Sequence, residues 1–305
     1  MRSPDHKVQM DQVLVVVSGK VNLFLRVLES CTSGYHLIET FFHSVDIRDE
    51  VLVRKRTSGI HLTVEPGKEQ GVPEGKENFA YKAAELFLEA AQPAEGVEIL
   101  VKKKIPVGAG LGGGSADGAA TLRGLNLLFG NPLPEATIYQ LAGDLGSDVP
   151  FLLYGGASLA WGRGNRLIPL KTLPPIPVGL CYPRFQVSSR WAYEMLDKSG
   201  ERRYPGTALI TYEKLNQEEW IFSHLHNDFE DVLFHHHPEL KEIKEAFLGK
   251  GAVGSLLAGS GSSVFGIFRD RKGMVSALEE MEKNFPVDVY ESGFLPHGMV
   301  IEIPM

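Results

Sequence analysis

The chain has 305 residues, 43% hydrophobic and 23% charged, with a formal net charge of −7. That balance is ample for a globular core, and its sign speaks against a nucleic-acid or anionic-membrane surface. The two cysteines, Cys31 and Cys181, form no C-x-x-C pair, so a disulfide framework is not expected and a reducing compartment fits. The start, M-R-S-P-D-H-K, is polar, and the apolar run at 13–17 is too short for a signal-peptide core or a membrane span. The expectation is a cytoplasmic protein of two domains or one large one.

Residues 13–29, rich in Val, Leu and Phe, predict a strand broken near Ser18-Gly19, and 37–47, 51–56 and 60–64 predict three more. A polar loop at 65–77 follows, readable as a mobile lip or as a plain surface turn. Asn78 predicts the cap of a helix over 79–91, because Ala80, Ala83, Ala84, Phe87 and Leu88 fall on one face. Residues 97–105 alternate as a strand and deliver the chain to a glycine-rich stretch. Beyond it, Ala119, Leu122, Leu125 and Phe129 have helical spacing up to Gly130-Asn131-Pro132, and a second helix covers 135–145. Strands are expected at 157–161, 166–170 and 178–182. The proline-rich segment 173–177 divides an N-terminal domain, 1–172, from a C-terminal domain, 173–305. The second part predicts helices at 190–196, 228–234, 238–248 and 274–284, a strand–turn–strand unit over 254–268, and a strand at 299–303. Helices and strands mix without strict βαβ alternation, which favours an α+β fold.

The glycine-rich stretch reads Pro106-Val107-Gly108-Ala109-Gly110-Leu111-Gly112-Gly113-Gly114-Ser115-Ala116-Asp117. Five glycines in seven residues let the backbone take φ > 0 and let another group approach the main chain. A glycine loop that empties into a helix leaves N–H groups unpaired at the positive end of the helix dipole, which makes an anion site. No lysine precedes Ser115, so the G-x-x-x-x-G-K-[ST] loop is excluded. A G-x-G-x-x-G match at Gly108, Gly110 and Gly113 lacks the second strand with its acidic end that a dinucleotide fold needs. The H-R-D and D-F-G motifs of protein kinases are absent.

The loop resembles instead the P-x-x-x-G-L-G-[SG]-S-[SA] signature of the GHMP kinases, the superfamily that includes galactokinase, homoserine kinase and mevalonate kinase. Gly112-Gly113-Gly114 and Pro106 resemble one branch in particular, the 4-diphosphocytidyl-2-C-methyl-D-erythritol kinases. Gly19-Lys20-Val21-Asn22-Leu23-Phe24-Leu25 looks like that branch's A-K-I-N-L-F-L, and Gly34-Tyr35-His36 looks like its G-Y-H. Gly146-Ser147-Asp148-Val149-Pro150 is similar to its G-A-D-V-P, and Ala258-Gly259-Ser260-Gly261-Ser262-Ser263 resembles the third superfamily motif.

The resemblance implies a two-domain GHMP kinase fold with the active site in the cleft between the domains, and ATP and Mg2+ as cofactors. It implies phosphorylation of the 2-hydroxyl of a cytidine diphosphate derivative of methylerythritol; another small-molecule kinase of the superfamily is the alternative. The nucleotide would lie along residues 106–116. Ser115 would contact phosphate or magnesium, although a plain N-cap suits the same position. Asp148 would accept or orient the substrate proton, although Asp before Val-Pro is also an ordinary helix start. Lys20 would sit beside Asp148. Tyr35, His36 and Tyr193 would form the cytosine site, with Asn22, Gly259 and Ser260 near the substrate. The histidines 235–237 read as a polar helix junction, since neighbours on a helix cannot all face one ion.

Overall fold

The computed structural model describes residues 10–30, 36–65, 67, 72–200, 214 and 217–303; Tyr35 and part of the predicted loop at 65–77 lie outside them. The first sheet is organised by two long antiparallel strands, β1 (Gln12–Ser30) and β2 (His36–Arg56). Their register shifts at Ser18/Gly19 and Asn22/Phe24, which bends the pair where Lys20 sits. The expected break near Ser18-Gly19 is therefore a bulge inside one strand. Residues 37–47 and 51–56 are likewise one strand, because β2 finds partners along its whole length.

One end of β2 pairs with β4 (Gly96–Lys102), which pairs in parallel with β3 (Ile60–Glu65). The other end pairs with β5 (Ala157–Gly162), itself paired with β6 (Arg166–Leu170). The predicted strand at 97–105 stops at Lys102. The amides of Lys104 and Ile105 turn to the Asp49 carboxylate, at 2.6 and 2.9 Å, instead of a neighbouring strand.

Helix α1 (Phe79–Ala91) starts where predicted, with the Asn78 side chain accepting from the Ala80 amide at 2.8 Å. It buries Ala80, Ala83, Ala84 and Phe87. Helix α2 (Gly113–Leu128) lies across β1 and β2, followed by α3 (Glu135–Leu145) and the short α4 (Val149–Tyr154).

Between Leu170 and Pro177 the chain crosses to a second, four-stranded sheet. It is built from β7 (Pro177–Tyr182), β9 (Gly254–Leu257), β10 (Val264–Ile267) and β11 (Asp288–Gly293). Strand alternation gives this sheet two buried faces. Leu180 and Phe265 join the core of the first sheet, whereas Cys181 and Val264 join a second core. The second core is covered by α5 (Ser189–Ser199), α7 (Phe229–His236), α8 (Pro238–Gly249) and α9 (Arg271–Asn284).

Two segments return to the first sheet: β8 (His226–Asn227) runs parallel to β1, and β12 (Met299–Glu302) pairs with its start. Helix α6 (Glu218–Ser223), β8 and β11 were not anticipated from the sequence. Among the described residues no helix is long and apolar enough to cross a membrane.

Candidate active site

Where the two sheets face each other there is a cleft of about 1030 Å³. Its floor at one end is the glycine loop. Helix α2 begins on Gly112, at φ 76°, and no side chain caps it, so its first N–H groups open onto the cleft beside Gly113, Gly114 and Ser115. Ser115 is the third residue of this helix, so the N-cap expectation is corrected: Gly112 holds that position.

Pro106, Gly108, Ala109 and Gly110 also line the cleft, but Leu111 and Ala116 point into the core. The Val107 carbonyl accepts from the Tyr182 hydroxyl at 3.4 Å. Leu111 serves through its carbonyl, which accepts the Lys20 amide at 2.9 Å and so fixes the strand that carries Lys20 to the loop.

Lys20 is 4% exposed. Its Nζ lies 3.3 Å from Asp148 Oδ2, donates to Asn22 Oδ1 at 2.9 Å, and sits 5.4 Å from the centre of the Phe42 ring. Asn22 donates in turn to Thr40 Oγ1 at 2.7 Å, and Thr40 donates to the Phe24 carbonyl at 2.6 Å. Each donor in this chain has an acceptor, so the ammonium is held in place. Asp148 precedes α4, but its carboxylate makes no capping bond. It is free of that structural duty and faces Lys20 across the cleft.

At the far end stands an aromatic group. The His36 and Tyr193 rings stack at 4.7 Å and 17°, and Tyr193 meets Phe229 edge-on at 4.9 Å. His36 Nε2 pairs with both oxygens of Asp197, at 2.9 and 3.0 Å. Burial, together with the charge of Asp148, raises the Tyr193 hydroxyl above its ordinary range, so it stays protonated.

The glycine turn at 258–263 closes the wall between the two ends. Ser263 donates to the Ala109 carbonyl at 3.1 Å, and Ser260 Oγ lies 2.8 Å from Ser189 Oγ.

Two matches decide the family. A model of the N-terminal domain of GHMP kinases matches residues 78–156, and one of the C-terminal domain matches 212–287. The chain belongs to the GHMP kinases.

Among relatives of this GHMP kinase, the 4-diphosphocytidyl-2-C-methyl-D-erythritol kinase of a Synechococcus sp. strain is 37% identical, over 96% of this chain and 97% of its own. That of Pelotomaculum thermopropionicum is 40% identical over 85% and 90%. A crystal structure of 4-(cytidine 5'-diphospho)-2C-methyl-D-erythritol kinase superposes with a TM-score of 0.75 at 35% identity, covering 92% of this chain and 99% of that one. Homoserine kinase from Cytophaga hutchinsonii reaches the same TM-score, 0.75, at 21% identity, over 99% of this chain and 100% of that one. Backbone shape therefore reports the fold, while the higher identity separates the branches.

Sequence reasoning brought Lys20, Asn22, His36, Asp148, Tyr193, Gly259 and Ser260 to one cleft, and the structure gathers all of them there. It missed Arg163, Asp197 and Phe229, which line the same cleft. Arg163 had a signal, a cation between two glycines, Gly162 and Gly164, both at positive φ. Asp197 had none, because its proximity to His36 spans 161 positions. The histidines 235–237 disperse: His236 Nδ1 bonds the Val232 carbonyl at 2.9 Å, and His237 stacks on Phe185 at 4.7 Å.

Beneath the loop, Lys103 lies between Asp49 and Asp117, bonding the latter at 2.7 Å, with all three buried. Burial works against the Lys103 ammonium, yet the two carboxylates outweigh it and raise its proton affinity. Burial also pushes the Asp117 carboxyl well above the usual range.

Proposed function

We propose that this GHMP kinase transfers the γ-phosphoryl group of ATP to the 2-hydroxyl of 4-diphosphocytidyl-2-C-methyl-D-erythritol, giving the 2-phosphate and ADP for isoprenoid precursor synthesis. One observation carries the reading. The Lys20–Asp148 pair and the uncapped start of α2 meet in one cleft, whose other end holds the His36–Tyr193 stack.

Phosphoryl transfer asks for positioning and for neutralisation of charge on the transferred group. The loop amides and the α2 dipole receive the triphosphate. Lys20 faces the transferred phosphoryl, and Asp148 accepts the proton of the acceptor hydroxyl or orients it. Asn22 and the Gly259-Ser260 turn border the methylerythritol portion. The aromatic end takes the cytosine, with His36 on its edge and Tyr193 against its face; Tyr35 belongs to the same subsite by motif.

Magnesium, carried by the nucleotide, neutralises phosphate charge when bound. Among the described residues no group of three or more His, Cys, Asp or Glu is gathered for a metal. The Ser115 hydroxyl, at the open start of α2, is the donor that fits, since a phosphate-bound magnesium takes few ligands from protein. On this reading the chain divides into domains at 1–172 and 173–305, with β8 and β12 of the second part returning to the first sheet. A cytoplasmic location belongs to this reading, supported by cysteine usage that fits a reducing compartment.

The experiment is ADP release coupled to a spectrophotometric assay with that acceptor, ATP and magnesium. Steady turnover supports the reading. Absence of turnover with this acceptor, together with turnover of mevalonate or homoserine, would transfer the protein to another branch.

A further inference from the structure

Behind the wall of the cleft lies a buried amide that bonds the Gly259 carbonyl of the turn bordering the acceptor. We propose that Asn227 is a positioning residue for phosphoryl transfer, its carboxamide setting the gap between the Gly259-Ser260 turn and the Lys20 ammonium. The proposal rests on the reading that Lys20 faces the transferred phosphoryl group.

Asn227 is 3% exposed and belongs to the two-residue strand β8, which pairs with Phe24 and Leu25 of β1. That is the strand bearing Lys20 and Asn22. The Asp228 amide donates to the Leu25 carbonyl at 3.0 Å, and Asp228 Oδ2 accepts from the Val27 amide at 2.7 Å. His226 Nε2 lies 2.5 Å from Asp228 Oδ1. The segment is thus fixed to β1 on both sides of Asn227.

From this anchor, Asn227 Nδ2 donates to the Leu257 carbonyl at the end of β9, at 2.9 Å, and to the Gly259 carbonyl in the turn that follows, at 2.7 Å. Its Oδ1 accepts the Phe229 amide at 3.0 Å, so donors and acceptor are all engaged and the carboxamide has one orientation. Glu230 Oε1 takes the Leu257 amide at 3.0 Å, holding the same residue from its other side.

The turn so held is tight against the catalytic end. At Gly259, φ is 55°, and a methyl group there would lie 2.9 Å from the Gly110 carbonyl oxygen and 3.2 Å from Lys20 Nζ. The glycine loop, the turn at Gly259 and the ammonium thus converge so closely that one methyl added to the turn would meet the other two. Asn227 joins that point to the strand on which the ammonium is carried. A side chain whose single nitrogen donates two N–H bonds to the two carbonyls is required. Aspartate has the same shape, but it would set a carboxylate against two carbonyl oxygens and push the turn away.

The test uses Asn227→Asp in the full chain, with steady-state kinetics and with acylation of lysines by an N-hydroxysuccinimide ester read by peptide mass spectrometry. A displaced turn is expected to lower kcat by about 10²-fold, the scale of a 1 Å misplacement. KM for the acceptor should change less than kcat, because Oδ1 and its bond to the Phe229 amide are kept while the turn moves. Acylation of Lys20 should rise at least about fivefold through local opening, while that of the equally buried Lys103 stays constant.

A uniform rise at both lysines would mark Asn227 as merely structural and overturn the proposal, as would unchanged labelling of Lys20. A rise confined to Lys20 in the variant, when the wild type turns over no cytidylyl acceptor, supports the positioning role and sinks the acceptor assignment instead. Should Asn227→Asp fail to fold, Gly259→Ala reaches the same gap without losing a buried hydrogen bond. It should show the same kcat loss, and a folded Gly259→Ala with wild-type kcat overturns the proposal.

Discussion

Acidification should loosen this protein through one residue, His43. Its ring is buried on β2, tilted against Phe294 with centroids 4.5 Å apart. The Leu173 amide donates to Nε2 at 3.0 Å, which makes that nitrogen an acceptor and puts the proton on Nδ1, 3.0 Å from the Ser44 carbonyl. A second proton would point N–H at N–H. Burial accordingly lowers the pKa from 6.5 to about 4.

Between those two values the unfolded chain binds the proton and the folded chain does not, so stability falls as the pH falls. At about 1.4 kcal/mol per pH unit, the loss is about 2 kcal/mol at pH 5 and about 3 kcal/mol at pH 4, with little added below. Above pH 6.5 the group adds no pH dependence. Leu173 lies on the segment that carries the chain from the first sheet to the second, so the junction of the cleft should loosen first.

The assay is urea unfolding of the wild type and of His43→Gln at a series of pH values. Other titrating groups are shared by the two proteins and cancel in the difference. The advantage of the wild type at pH 7 should shrink by about 3 kcal/mol at pH 4. A difference that stays flat over that range refutes the buried neutral imidazole.

Replacing Asp148 by Asn should cut kcat by about 10²–10⁴-fold while calorimetry finds ATP binding intact; undiminished turnover would remove Asp148 from the chemistry. Tyr193→Ala should weaken cytidine nucleotide binding by the worth of one stacked base, about 1–3 kcal/mol, with ATP affinity preserved. Equal losses for both nucleotides would argue against a base subsite there. Lys103→Met strands the Asp49 and Asp117 carboxyls in the core. It should destabilise by about 3–5 kcal/mol in chemical denaturation, and a loss below about 1 kcal/mol would mean that the two share a proton comfortably without the ammonium.

The parts of this fold that were legible in the sequence are those set by local rules. Helix α1 begins at its Asn78 cap because the cap and the alanine face are both written within a few residues. Residues 48–50, R-D-E, fall between two expected strands, yet β2 runs through them. The reason is tertiary: Asp49 is buried against Lys103 and takes two backbone amides from the neighbouring segment. Strand β8 is only two residues long and is defined by its partner β1, so no periodicity could announce it. The same holds for the site. Lys20, Asp148 and the loop stood out by motif, whereas Asp197 and Asn227 matter through what they touch.

The glycines of the loop separate into those that the protein requires and those that leave room for a ligand. At Gly110 a Cβ would fall 1.8 Å from the Ala258 carbonyl oxygen, at φ 79°, so backbone meets backbone and nothing can yield. Gly110→Ala should therefore lower stability and activity together. At Gly114, inside the first turn of α2, the nearest atom to a Cβ is a Phe79 ring carbon at 3.6 Å, an ordinary contact. Alanine there favours the helix by up to about 1 kcal/mol over glycine. The residue is exposed to the cleft, so the added methyl would stand where a phosphate approaches the α2 amides. Gly114→Ala should thus melt higher than the wild type and bind ATP more weakly. Those opposite signs separate a ligand-facing glycine from a packing one. If instead Gly114→Ala keeps full ATP affinity, the triphosphate does not rest on the start of α2, and the cradle must lie further back along the loop.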